Sequence, residues 1–385
     1  DRASILPAGH TPTAAFWFDD ASGNFITSTY YMQELPEWVK QFNARHEPQQ
    51  LMSKSWTPLY PLETYKQSTA DDEPWEGKFP GEQHPTFPHD LPAIYARNHE
   101  ALRSTPFGNT LTLDFAKAAI AGYRLGHGPA TDFLTINCAS TDYVGHMYGP
   151  NAVEVEDTYL RLDRDLASFF HYLDTYVGKG NYLVFLTADH GAAHAIGFMQ
   201  AHQLPADFLE GGQITKALNA YLQKLFGVSQ LVISLMNYHV NFNEQQLAQH
   251  VLNKDSVIQA TIAFLQKQPG IEMVVDLRHI GEAPVPQPVR EMLINGYFPK
   301  RTGPVAIVPD PGWFEGHAGG TGTTHGAWNP YDTHIPLLFM GWHIPHGVTY
   351  EEVKMTDIAP TLAALLHIQM PNGCVGKPIV PLLGR

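Results

Sequence analysis

The chain has 385 residues, enough for one large domain or two ordinary ones, and 44% hydrophobic against 16% charged residues suit a packed core. A net charge of −14 with no basic stripe excludes nucleic acid as a partner, and no apolar run of about 20 residues offers a membrane span. An anionic substrate would need local positive charge, which bound metal ions can supply. Two cysteines, Cys138 and Cys374, are too few for a disulfide framework. The chain opens on Asp1-Arg2 without a methionine or a signal peptide, and so reads as either processed or a piece of something longer.

In chain order, residues 16–100 are rich in Pro and aromatics (FWFDD, STYYMQELPEW, PWEGKFPGEQHPTFPHDLP) without periodicity, which predicts irregular covering structure. A helix is expected from Asn109 through TLTLDFAKAAIAGYRLG, stopping near Gly126. The continuous apolar run TDFLTINC reads as a buried parallel strand that ends just before Asp142. Cys138 at its end reads as a buried free thiol, with a bridge to Cys374 as the alternative. A strong helix follows, with Asn151 as N-cap, acidic Glu154, Glu156 and Asp157 in its first turn, and an apolar stripe of Val155, Tyr159, Leu162, Leu166, Phe169 and Leu173. Gly178 and Gly180 end it. NYLVFLTA is then a second buried strand, with Asp189-His190 at its carboxyl end. Strand, helix and strand in this order make a βαβ unit, and open α/β sheets place ligands beyond the carboxyl ends of their strands.

Residues 205–312 read as an inserted α+β subdomain with its own sheet: helix, strand pair, the helical stretch EQQLAQHVLNKDSVIQATIAFLQKQ, strand, helix, strand. The chain then passes through glycine-rich EGHAGGTGTTHG into a last core strand, HIPLLFMGW, and an apolar helix, TDIAPTLAALLHI. The expected fold class is α/β, with a core from 1–204 and 313–385.

The chemistry lies in three segments. Asp142 and His146 (TDYVGH), Asp189-His190 (LTADHG) and His325 (GTTHG) are oxygen and imidazole donors that suit zinc or a similar divalent ion. Asp142 and His146, four apart where a strand turns into a loop, can reach one ion. Adjacent Asp189 and His190 point in different directions, so they can serve two ions; the bland alternative is an Asp cap beside an incidental His. All three motifs at strand ends make that alternative the poorer one. Two ions about 4 Å apart are a standard apparatus for moving a phosphoryl group. Most of the 20 histidines read as surface or hydrogen-bonding residues; His194, His317 and His334 lie where they can support the ligands.

TDYVGH, LTADHGAAH, TTHG and TDIAPTLAALL together resemble the alkaline phosphatase superfamily. The nearest branch is that of the bacterial phosphate-irrepressible alkaline phosphatases, beside the type I phosphodiesterase/nucleotide pyrophosphatase group. DRASILPAGH, ITSTYYMQELPEWV, RSTPFGNTLT and VEVEDTYLRLDRDL extend the likeness along the chain. The resemblance implies a mixed, mostly parallel sheet sandwiched by helices, and two zinc ions. Asp142, His146 and His325 match the ligands of the first; Asp189 and His190 match two ligands of the second. Arg2 matches an arginine that clamps phosphate oxygens. It further implies that a nucleophilic Thr, an Asp completing the second zinc site, a phosphate-binding Asn and the first strand and helix of the sheet lie in an N-terminal segment ahead of this chain. The family's Lys two places before the arginine has no counterpart here. The implied function is hydrolysis of small phosphomonoesters in the periplasm through a phosphothreonine, with this chain inactive alone. A phosphodiesterase or sulfatase on the same scaffold, or a catalytically silent metal-binding protein, are the alternatives.

Overall fold

The structure, a computed structural model, describes residues 4–384. Aromatic side chains organise the first hundred residues more than their lack of periodicity predicts. β1 (Trp17–Asp19) and β2 (Asn24–Ile26) form an antiparallel hairpin, and short helices follow at Glu37–Asn43, Glu47–Leu51 and Leu91–Arg97. Each piece is too short to register as a period in sequence. They hold together through one apolar cluster in which Phe25 stacks on Phe115 at 3.7 Å and Phe42 and Trp38 pack edge-on or tilted against the same ring. Phe115 belongs to the helix Phe107–Tyr123, so the covering segment is riveted to the core by that helix. Asn109 sits inside the helix rather than before it; its buried Oδ1 accepts the Ser140 N–H.

The helix Val153–Leu173 forms as expected, but its N-cap is Ala152. Asn151 is occupied elsewhere: its carbonyl accepts from the Thr69 N–H and hydroxyl, and its Oδ1 meets His194 Nδ1 at 2.6 Å. The helix continues into a π-helical turn, Asp174–Gly178. Two buried acids near its start fasten the covering segment. Asp157 accepts from Trp56 Nε1, the Leu59 N–H, the Tyr65 hydroxyl and Arg161 Nε. Glu154 Oε1 lies 3.3 Å from Nε2 of fully buried His89, whose Nδ1 is 2.8 Å from Glu82 Oε1. Buried charges are tolerated only when paired in this manner.

The central sheet departs from the sequence expectation. Residues 131–138 form no strand, and Phe133 and Leu134 are 63% and 40% exposed. The run lies against β3, with the Phe133 ring 6.4 Å from that of Phe185, but makes no ladder pairing with it, and a strand exists through its ladder partners. β3 (Leu183–Thr187) does form, but every position is only half-buried. The βαβ unit is thus incomplete among the described residues. Cys138 is a free, half-buried thiol pushed up to about 11 by burial, and Cys374 is free as well.

Beyond β3 the chain runs through β4 (Asp207–Leu209) to a four-stranded antiparallel sheet. Its strands are β5 (Val232–Met236), β6 (His239–Phe242), β7 (Ile271–Asp276) and β8 (Val305–Pro309), in the order β5-β6-β8-β7. The helices Gly211–Phe226 and Lys254–Leu265 contribute Leu218, Leu222, Val257, Ile258 and Leu265 to its core. The single long helical stretch expected before β7 is two helices, because Asn243 and Asn253 each cap a new start through Oδ1. β9 (Trp313–Glu315) then returns parallel to β4, and β10 (Leu337–Gly341) pairs antiparallel with β3. No helix of the described residues is long and apolar enough to cross a membrane.

Candidate metal centre

The segment carrying Asp142 and His146 is a helix, Ser140–Tyr148, not the loop its position suggests. A spacing of four then puts both side chains on one helical face. Asp142 stands in the first turn, the helix end its charge suits, and His146 in the last. Asp142 Oδ1 lies 3.4 Å from His146 Nε2, 3.7 Å from His325 Nε2 and 3.8 Å from His190 Nε2. One carboxylate oxygen is therefore ringed by three imidazole nitrogens from three separate segments. The donor atoms of Asp142, His146 and His325 all lie within 4.8 Å of one another, a candidate metal-binding triad.

The rings are aimed by backbone carbonyls. His146 Nδ1 lies 2.8 Å from the Thr323 carbonyl and His190 Nδ1 lies 2.8 Å from the Gly191 carbonyl. A carbonyl only accepts, so in both rings Nδ1 carries a proton and Nε2 is the atom that faces the centre. His190 and His325 stack at 3.3 Å with planes 11° apart. Two imidazolium cations would repel there; burial first, and His190 second, lower the pKa of His325. Neutral imidazole is the ligating form.

Buried Thr323 connects two ligand segments. Its N–H donates to the His146 carbonyl at 3.0 Å and its hydroxyl to the Ala193 carbonyl at 2.7 Å, three residues past His190. Gly322, at φ 71°, donates to the Trp75 carbonyl, and a Cβ on it would stand 1.9 Å from the His146 carbonyl oxygen. Asp332, also buried, accepts from the Gly326 and Ala327 N–H groups just past His325. Sequence reading missed both Thr323 and Asp332. Adjacency to the GTTHG motif was the one signal for Thr323, and Asp332 carried none.

Asp189 lies beside His190, 3.5 Å from Oδ2 to Nε2, with its side chain 80% exposed. Arg2 lies outside the described residues. Of the three supporting candidates, His194 is tied to Asn151 and Phe198, His317 lies over Phe208, and His334 ends the short helix Pro330–Thr333.

This fold and centre place the chain in a known class: it belongs to the type I phosphodiesterase / nucleotide pyrophosphatase family, whose model matches residues 2–332. It is 52% identical over 386 residues to the alkaline phosphatase PafA of Elizabethkingia meningoseptica, a match covering 100% of this chain and 70% of that protein. A protein of Myroides odoratus named calcium-transporting ATPase is 50% identical, covering 98% of this chain and 70% of its own length. The alkaline phosphatase PhoV of Synechococcus elongatus is 47% identical, covering 100% and 69%. The crystal structure of wild-type PafA matches with a TM-score of 0.97, covering 100% of this chain and 73% of that one. The α/β fold is thus that of an alkaline phosphatase.

Proposed function

We propose that this protein is a metal-dependent phosphomonoester hydrolase, an alkaline phosphatase. The observation that carries this reading is Asp142 Oδ1 ringed by Nε2 of His146, His190 and His325. Two imidazoles and a carboxylate with an open fourth position suit catalytic zinc. The carbonyls that hold Nδ1 of His146 and His190 support the fit, because they leave Nε2 of each ring facing the centre as the ligating atom. On this reading Asp142, His146 and His325 hold a first zinc, and Asp189 and His190 contribute to a second. When bound, the pair supplies charge for a phosphate group and acidity for a hydroxyl nucleophile.

This chain's residues orient and preorganise. The Thr323 and Gly191 carbonyls keep two rings from rotating, so the donors need no rearrangement during reaction. The exposed carboxylate of Asp189 leaves the second position accessible to ligands from elsewhere in the protein. By likeness to the family, Arg2 clamps phosphate oxygens, and a nucleophilic Thr, an Asp and an Asn come from a segment outside this chain. The described structure supports such a partner segment. Half-buried β3, exposed Leu338 and Met340 on β10, and unpaired residues 131–138 leave apolar surface where a sheet would continue. Substrates are small phosphate monoesters, met in the periplasm.

The test is hydrolysis of an aryl phosphate and of a bis-aryl phosphate diester with zinc present. The 385-residue chain alone is expected near background, since losing a covalent nucleophile costs orders of magnitude. The chain joined to the N-terminal region of its 52%-identical relative is expected to turn over the monoester much faster than the diester. Robust turnover by the chain alone rejects the external nucleophile. Faster diester cleavage by the joined protein rejects the monoesterase reading in favour of a phosphodiesterase.

A further inference from the structure

The two stacked histidines belong to different turns, and one residue touches both turns. Asp332 is 4% exposed. Its Oδ2 accepts the Gly326 N–H at 3.0 Å and the Ala327 N–H at 2.7 Å, the two residues that follow His325. Its backbone carbonyl accepts the Gly191 N–H at 2.7 Å, the residue that follows His190. The approach at Gly191 is close: a Cβ there would stand 2.0 Å from the Tyr331 carbonyl oxygen. Asp332 Oδ1 is buried without a hydrogen-bond partner, so the carboxyl group is held in place for what one of its oxygens does.

We propose that Asp332 is a positioning residue that fixes the His190 turn against the His325 turn, and through them the separation of the two metal positions. The inference rests on the reading of the centre given above. Without the carboxylate the Gly326–Ala327 turn loses two buried acceptor contacts, and the His325 ring loses its set distance from His190. His146 Nδ1 is held by the Thr323 carbonyl, a contact in which Asp332 takes no part. Asn in place of Asp keeps an acceptor oxygen of the same reach, so the effect is one of geometry and not of charge.

The test uses zinc ion and the 385-residue chain, with Asp332→Ala and Asp332→Asn. Competition with a chromogenic chelator reads zinc affinity, and imidazole 15N resonances of the metal-free chain read ring placement. Asp332→Ala is expected to lose about 10–100-fold in zinc affinity, the usual effect of removing a group that supports ligands. Its metal-free His190 and His325 resonances shift, and those of His146, whose Nδ1 stays on the Thr323 carbonyl, move less. Asp332→Asn is expected to match the wild type in both. Unchanged affinity and resonances in Asp332→Ala overturn the inference, as does equal loss in Asp332→Asn. If the wild-type chain takes up no zinc, the reading of the centre fails, and the metal-free resonances still decide the role of Asp332. If Asp332→Ala does not fold, Asp332→Asn decides alone by keeping or losing the wild-type values.

Discussion

Asp142 stands closest to the middle of the centre, and the donors around it are not equivalent. His325 lies in the triad with Asp142 and His146, whereas His190 pairs with exposed Asp189. Removing one ligand of a nearly complete set costs more than removing one of an open set. His325→Ala is therefore expected to lose the tighter bound zinc, and His190→Ala the weaker. Equilibrium dialysis resolving two affinities checks this; equal loss from both variants contradicts the ordering. The gathering of Asp142, His146, His190 and His325 was legible in sequence because metal ligation, as proposed for them, demands particular side-chain types. Asp332 and Thr323 were not. They act chiefly on backbone N–H and C=O groups, and many residue types can reach a backbone group, so residue type alone does not announce the role.

At the scale of elements, the helix Ser140–Tyr148 is held at its C-terminal end by two strands of irregular chain. The Gly77 N–H donates to the Met147 carbonyl, and the Thr323 N–H to that of His146. Gly322 makes the second strap possible, since it combines a left-handed φ with contact to the helix backbone. Gly322→Ala is expected to destabilise by roughly 2–4 kcal/mol, because both the backbone conformation and the contact are lost. Thermal unfolding, with zinc affinity measured below the transition, reads both effects. A variant that melts within a degree of the wild type would count against the strap. Sequence reading placed the four strands of the antiparallel sheet after residue 205 well, because their apolar runs are local, but it joined two helices into one and gave no sign of β4 or β9. It misjudged Ser140–Tyr148 as loop, since a nine-residue helix with two polar ligands shows little apolar period. It overrated residues 131–138, whose apolar run signals a strand but which pack against β3 without ladder pairing.

For the molecule as a whole, the buried acids beneath the covering segment set a pH dependence. Burial opposes charge on His89, but the hydrogen bonds it donates to Glu154 and Glu82 prevail and raise its pKa from the ordinary 6.5 to about 9. Its contribution to stability is complete below pH 6.5 and lost as pH rises through 9. Burial, with Glu154 next, raises Glu76 from 4.5 to about 8, so between those values the folded chain keeps a proton the unfolded chain has released. That too lowers stability as pH rises. The melting temperature of the metal-free chain is expected to fall steadily from pH 6.5 to 9, and less steeply in Glu76→Gln. A flat profile in the wild type rejects the linkage.

The parallel pair β4–β9 has one more consequence. We propose that residues 205–312 form an inserted unit, and the chain leaves for it and returns from it on neighbouring strands, with Asp207 opposite Trp313. The excursion therefore begins and ends at one spot. Each doubling of such a loop adds only about 0.6 kcal/mol of closure entropy. His190 and His325 stand on opposite sides of that neck in sequence and ring against ring in space, so a long excursion of the chain closes on itself before the two rings meet.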